Sequence, residues 1–112
     1  MKQALILALL LTASSPAFAG ASNFTLVNGT GAGLAELSIR RSGTNEWKSL
    51  GPAPSAGARS SMTFSDPDCA FDIRATVSGA GPVTWAGVNL CDVKSVILNR
   101  DASIGAWVDY DQ

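Results

Sequence analysis

The chain of 112 residues carries 8 basic and 9 acidic side chains, a formal net charge of −1, which gives no electrostatic ground for binding nucleic acid or an anionic membrane surface. It has no histidine and only two cysteines, so Ser–His and Cys–His nucleophile systems are excluded and a nitrogen-and-sulfur metal site lacks ligands. Valine, isoleucine, threonine, phenylalanine and tryptophan recur through the apolar stretches, and long helix-forming runs are missing beyond residue 20; this composition points to an all-β fold.

The opening segment, MKQALILALLLTASSPAFAG, has one early cation (Lys2), an apolar run from Ala4 to Leu11 and then Ala17-Phe18-Ala19. Small residues occupy both positions that a signal peptidase reads. The run is shorter than the roughly 18 residues needed to span a bilayer. Residues 1–19 are therefore predicted to be a cleaved signal peptide and the mature protein to be periplasmic or secreted, with no membrane span. Residues 20–112 retain seven basic and nine acidic side chains and suffice for a single β-sandwich domain with one modest core.

In chain order, Phe24 and Leu26 share one face of a first strand, Thr25 and Val27 the other. Asn28 to Gly33 (NGTGAG) is a turn. In LAELSIRR, Ala35, Leu37 and Ile39 are predicted to face inward, with Glu36, Ser38 and Arg40 outward. After a second turn, SGTNE, Trp47 to Leu50 reads as a short edge or bend. The prolines and glycines of Gly51 to Ala58 make a loop. Ser60, Met62 and Phe64 alternate against Arg59, Ser61 and Thr63. Cys69, Phe71, Ile73, Ala75 and Val77 repeat at period two, the clearest strand signal in the chain. Ser78 to Pro82 turns into VTWAGVNLC, where Trp85 is out of phase with Val88 and Leu90 unless Gly87 introduces a bulge. Val93 to Leu98 is a further strand. Residues 99–112 form either a last edge strand through Ile104, Ala106, Val108 and Tyr110 or a frayed tail. Six to eight short strands at this spacing predict a small antiparallel β-sandwich.

Several residues carry potential chemistry. In an exported protein Cys69 and Cys91 are expected to be oxidised to each other, a structural disulfide clamping neighbouring strands. Asp66, Asp68 and Asp72 offer oxygens of the kind calcium takes, but their spacing does not match the EF-hand loop. Asp66-Pro67-Asp68 is ordinary turn chemistry. Asp72 and Arg74 share the outward face of one strand, as surface charges, cross-strand ion pairs or interaction residues. Trp47, Trp85 and Trp107 are candidate stacking aromatics for a sugar platform, against the commoner fate of tryptophan as core or edge cover. No catalytic residue, metal site or cofactor is expected, and a sandwich with short loops leaves little room for a catalytic cleft.

The ordered residues Asn28-Gly29-Thr30-Gly31, Ser42-Gly43 with Trp47, Cys69 with Asp72 and Arg74, and Trp85 with Leu90-Cys91 resemble a family of small exported bacterial β-sandwich proteins of unknown function. Its members show an NxTG turn, a CxxDxR strand and a W…LC strand. The resemblance covers about residues 24 to 98 and implies a periplasmic sandwich without supplying an activity. It departs at Arg40-Arg41, at Trp47-Lys48 and beyond Asn99. The functional expectation is a non-catalytic binding or interaction module for a protein or envelope component. The alternatives are an inhibitor of a secreted hydrolase and a carbohydrate-binding module using exposed tryptophans.

Overall fold

The computed structural model describes residues 20–111, and the signal-peptide reading of residues 1–19 lies outside them. Among the described residues there is no helix, and eight strands follow in order: β1 (Phe24–Gly29), β2 (Leu34–Arg41), β3 (Lys48–Ser49), β4 (Arg59–Met62), β5 (Ala70–Val77), β6 (Gly81–Asn89), β7 (Ser95–Asp101) and β8 (Gly105–Asp111). They form two four-stranded sheets, β4-β1-β7-β8 and β3-β2-β5-β6. Neighbours pair antiparallel except β1 and β7, which run parallel with Leu26 opposite Val96.

Period-two alternation produces the core directly. Phe71, Ile73, Ala75 and Val77 of β5 are buried, and they meet Phe24, Leu26, Val96 and Leu98 from the facing sheet in one apolar cluster. Phe64 joins the two layers edge-to-face, its ring centroid 6.1 Å from that of Phe24 and 5.1 Å from that of Phe71. Such T-shaped contacts add stabilisation beyond area burial. β5 and β6 are joined through a tight turn at Ser78–Ala80, where Gly79 takes a φ of 82°, a left-handed conformation that glycine adopts without a Cβ penalty.

Gly87 does introduce a bulge. Phe71 pairs with Val88 and Ile73 with Trp85, so Asp72 alone faces Ala86 and Gly87, the latter at a φ of 66°. The extra residue restores Trp85 to the phase of Val88 and Leu90, and all three are buried. The Trp85 indole N–H donates across the sandwich to the Asn99 carbonyl at 2.8 Å. Burying a side chain of this size stabilises by about 3 kcal/mol, and an unpartnered buried N–H would forfeit about 1–3 kcal/mol of that.

Two expectations about facing are corrected. In β2 the register shifts between Ala35 and Ser38, with Glu36 at a φ of 54°. Leu37 and Ile39 point inward as expected, but Ala35 is exposed and Leu34 packs against the core instead. Cys69 is not on the buried face of its strand. It is exposed and precedes β5, which starts at Ala70. The pair Cys69–Cys91 is bonded, with S–S 2.08 Å and Cα atoms 5.1 Å apart, and it closes the open end of the β5–β6 hairpin beyond the Ala70–Asn89 pair. The tail is a full strand: β8 pairs with β7 from Gly105 to Asp111. Its edge approaches β6, where the Asn89 N–H donates to the Tyr110 hydroxyl at 2.9 Å.

The NGTG turn is built around one buried side chain. Asn28 is fully buried, its amide donating to the carbonyls of Ala32 at 2.8 Å and Pro54 at 3.1 Å. Its oxygen accepts from the Thr30 N–H and hydroxyl. A satisfied buried amide of this kind fixes the turn and docks the proline-rich loop on it.

Candidate binding surfaces

Asp72 and Arg74 leave the same face of β5 and meet different fates. Asp72 stands opposite Arg40 of β2 and is 5% exposed. Its carboxylate accepts from Arg40 Nε at 2.8 Å, from the Ser42 hydroxyl at 2.8 Å and from the Gly87 N–H at 3.0 Å. Burial alone would raise its pKa; the Gly87 amide, the Ser42 hydroxyl and the Arg40 guanidinium together outweigh burial and hold the carboxyl below the ordinary carboxylate range. Asp72 is thus a tie between β2, β5 and the bulge of β6. Its oxygens are used by the protein.

Arg74 forms none of the ion pairs among the described residues. Its cross-strand neighbours are Ser38 and Thr84, which supply no charge. Instead its guanidinium lies over the Trp47 ring, 3.9 Å from the centroid, and Arg40 lies over the same ring at 4.5 Å. Trp47 is half-buried, and its ring carries both guanidiniums. Beside this stack an open groove of about 540 Å3 runs along the outer face of β2, β3 and β5.

The acidic turn before β5 is likewise internal in its use. Arg41 reaches Asp66 at 3.1 Å and Asp68 at 3.2 Å, and the Asp68 N–H donates back to the Asp66 carboxylate at 2.8 Å. Asp66 also pairs its backbone with Ala21, tying the start of the described chain to the turn. Burial would raise the Asp66 pKa, but the Asp68 amide and Arg41 hold it below the ordinary range. Arg41 in turn is raised, first by its hydrogen bond to Asp66 and then by the charges of Asp66 and Asp68. Asp72 is occupied elsewhere by Arg40, and the described residues hold no group of three or more His, Cys, Asp or Glu arranged for a metal ion.

Of the three tryptophans, Trp85 belongs to the core and Trp47 to the arginine stack. Trp107 alone is exposed, at 40%. It lies on β8 with two further exposed residues, Ile104 at 74% in the β7–β8 turn and Tyr110 at 41%. These three are the exposed large hydrophobic side chains among the described residues, and all of them fall in one hairpin. Asp101, Asp109 and Asp111 flank them. Ile104 and Tyr110 were visible in the sequence only as members of a strand phase. Their exposure follows from β8 being the last strand of its sheet. Arg40, predicted only to face outward, proves to be a neighbour of both Asp72 and Trp47; the alternation of β2 against β5 is the signal that could have found it.

No family model, no curated protein and no solved structure matches the chain.

Proposed function

We propose that the protein is an exported, non-catalytic interaction module that contacts a protein or envelope component through the β7–β8 hairpin. The observation that carries this reading is the exposure of Ile104 in the β7–β8 turn and of Trp107 on the outward face of β8, while Tyr110 lies on the other face with its hydroxyl taken by the Asn89 N–H. Apolar side chains scattered singly over a surface need no explanation, whereas an exposed tryptophan close in the chain to an exposed aliphatic turn residue offers an anchor for binding. The flanking Asp101, Asp109 and Asp111 favour a partner surface with basic residues around an apolar centre. The non-catalytic part is supported by the three carboxylates nearest the disulfide: Asp66, Asp68 and Asp72 are engaged by Arg41 and Arg40. Export is supported by the leader-like pattern of residues 1–19 and by the disulfide.

A photo-crosslinking amino acid placed at Ile104 or Trp107, expressed in the native host, tests the reading. Discrete adducts are expected from these positions and not from Arg59 on the opposite edge of the sheet. Adducts from neither position, or the same adducts from all three, would overturn it. The exported form is expected to start at Gly20, which N-terminal sequencing checks. The placement of Ile104 at the tip of a protruding turn also fits an inhibitor that inserts a loop into a secreted hydrolase. Loss of inhibition of envelope hydrolases on Ile104→Asp would identify that mode.

A further inference from the structure

We propose that the groove on the outer face of the second sheet binds a uronate, a sugar carrying a single carboxylate, with Arg74 as the carboxylate-binding residue. Arg74 is half-buried and lies 3.9 Å above the Trp47 ring, yet no carboxylate of the described protein pairs with it. A guanidinium stacked on an indole has lost much of its rotamer freedom, so less entropy is given up when its N–H fork meets a planar anion. An arginine held in place without an acidic partner is therefore prepared for one supplied from outside.

The charge of the groove selects among anions. Arg74 presents its guanidinium there and Glu36 is held by the Thr76 hydroxyl, whereas the Lys48 ammonium turns away over the Phe64 ring, 5.4 Å from its centroid. Arg40 adds nothing, since Asp72 compensates it at 2.8 Å. A single unpaired guanidinium suits a monoanionic carboxylate, whereas a phosphate dianion calls for several cations or a nest of backbone amides.

The rest of the lining favours a sugar. Ser38 and Ser49 place hydroxyls in the groove, and neither hydroxyl has a protein partner among the described residues. Hydroxyls both donate and accept, as the hydroxyls of a saccharide require. An acidic peptide that bound by adding a strand would instead need a free sheet edge, and one bound by charge would need a cluster of arginines. The edge available here, β3, is two residues long. Glu36 is another lining residue: it accepts from the Thr76 hydroxyl at 3.0 Å while held at a φ of 54°. A non-glycine residue in that conformation costs about 1 kcal/mol, and such strain persists where the surrounding structure over-determines it.

Calorimetric titration of the purified, disulfide-bonded protein with a galacturonate hexasaccharide tests the proposal, beside the carboxyl-reduced neutral hexasaccharide and a hexaglutamate peptide. The uronate is expected to bind at least about tenfold more tightly than either comparison ligand, with an affinity that falls as salt is added. Arg74→Gln should lose about tenfold or more of that affinity, as expected for one charge-assisted fork. Arg74→Lys should recover only part of it, because charge returns without the planar fork. Ser38→Ala should weaken binding several-fold by removing a groove hydroxyl, which keeps a test in hand if Arg74 variants fold poorly. Arg59→Gln, an equal charge change on the first sheet, should leave binding unchanged. Lack of uronate binding, equal binding of the neutral sugar or of hexaglutamate, or equal losses from Arg59→Gln and Arg74→Gln would each overturn it.

Discussion

Replacing Asp72 by alanine is expected to destabilise the fold by about 2–3 kcal/mol at pH 7. The carboxylate receives three donors from two other strands and their connections, Arg40 Nε, the Ser42 hydroxyl and the Gly87 N–H. Removing one member of a fully buried ion pair costs about 3–5 kcal/mol. Here the cost falls below that range because the Arg40 side chain keeps 25% exposure and can regain water when its partner is gone. In a fold of this length the loss corresponds to about 10–20 °C in Tm. The pH dependence supplies the sharper check. Asp72 lies below the ordinary carboxylate range in the folded state, so its contribution is complete above the unfolded-state pKa, about 3.9, and is lost as pH falls through the lower folded value. Urea unfolding followed by circular dichroism, with the disulfide intact in both proteins, should therefore show a gap between wild type and Asp72→Ala that is constant above about pH 5 and narrows below about pH 4. A gap under about 0.5 kcal/mol at pH 7, within the scatter of surface substitutions, would refute the three-strand tie. So would a gap that stays constant down to pH 2.

Reduction of Cys69–Cys91, or the double change to alanine, should lower stability by about 3 kcal/mol on a chain-entropy estimate for cysteines this far apart; their sequence separation is 22, and the denaturant midpoint with and without reductant measures the effect. Asn28→Ala removes a fully buried side chain that bonds Ala32, Pro54 and Thr30. It should cost about 2–4 kcal/mol and raise amide exchange in the proline-rich loop, read by hydrogen exchange. Gly87→Ala meets no atom within 4 Å but requires a φ of +66°, so only the backbone term of about 1–2 kcal/mol applies. A much larger shift in a thermal melt would contradict that accounting.

Much of this arrangement could be read before folding. The unbroken alternation from Phe71 to Val77 predicts a two-faced strand, and Phe71, Ile73, Ala75 and Val77 are buried as expected, although the strand begins only at Ala70. Gly87 flagged the bulge because glycine inside an apolar strand is otherwise unfavourable. The bulge at Glu36 carried no such flag, and a non-glycine residue at positive φ is not legible in a propensity pattern; Ala35 was therefore assigned to the wrong side. The face of Cys69 was lost for a different reason. Period two continues through it, but the sheet ends at Ala70, and only pairing defines where a strand stops. Asp72 was legible as outward-pointing and not as buried, because the groups that cover it come from β2, the turn after β2 and β6. Likewise Trp47 and Arg74 are 27 positions apart in the chain, and no local pattern announces their contact.

The parallel pairing of β1 and β7 has a consequence for the order of assembly. β1 is the first strand of the described chain, yet it lies inside its sheet, with β4 on one side and β7 on the other. Leu26 meets Val96 only after some 70 residues of intervening chain, while β2, β5 and β6 can associate through nearer partners. The second sheet therefore has the means to form early as a template, and the first is completed only when the last two strands arrive. Long loop closures of this kind make for slow folding, and until they occur β1 presents an open strand edge and an uncovered apolar face. A chain that ended before Ser95 would keep that edge permanently, so the C-terminal hairpin acts as the closing clasp of the fold as well as the surface proposed to meet a partner.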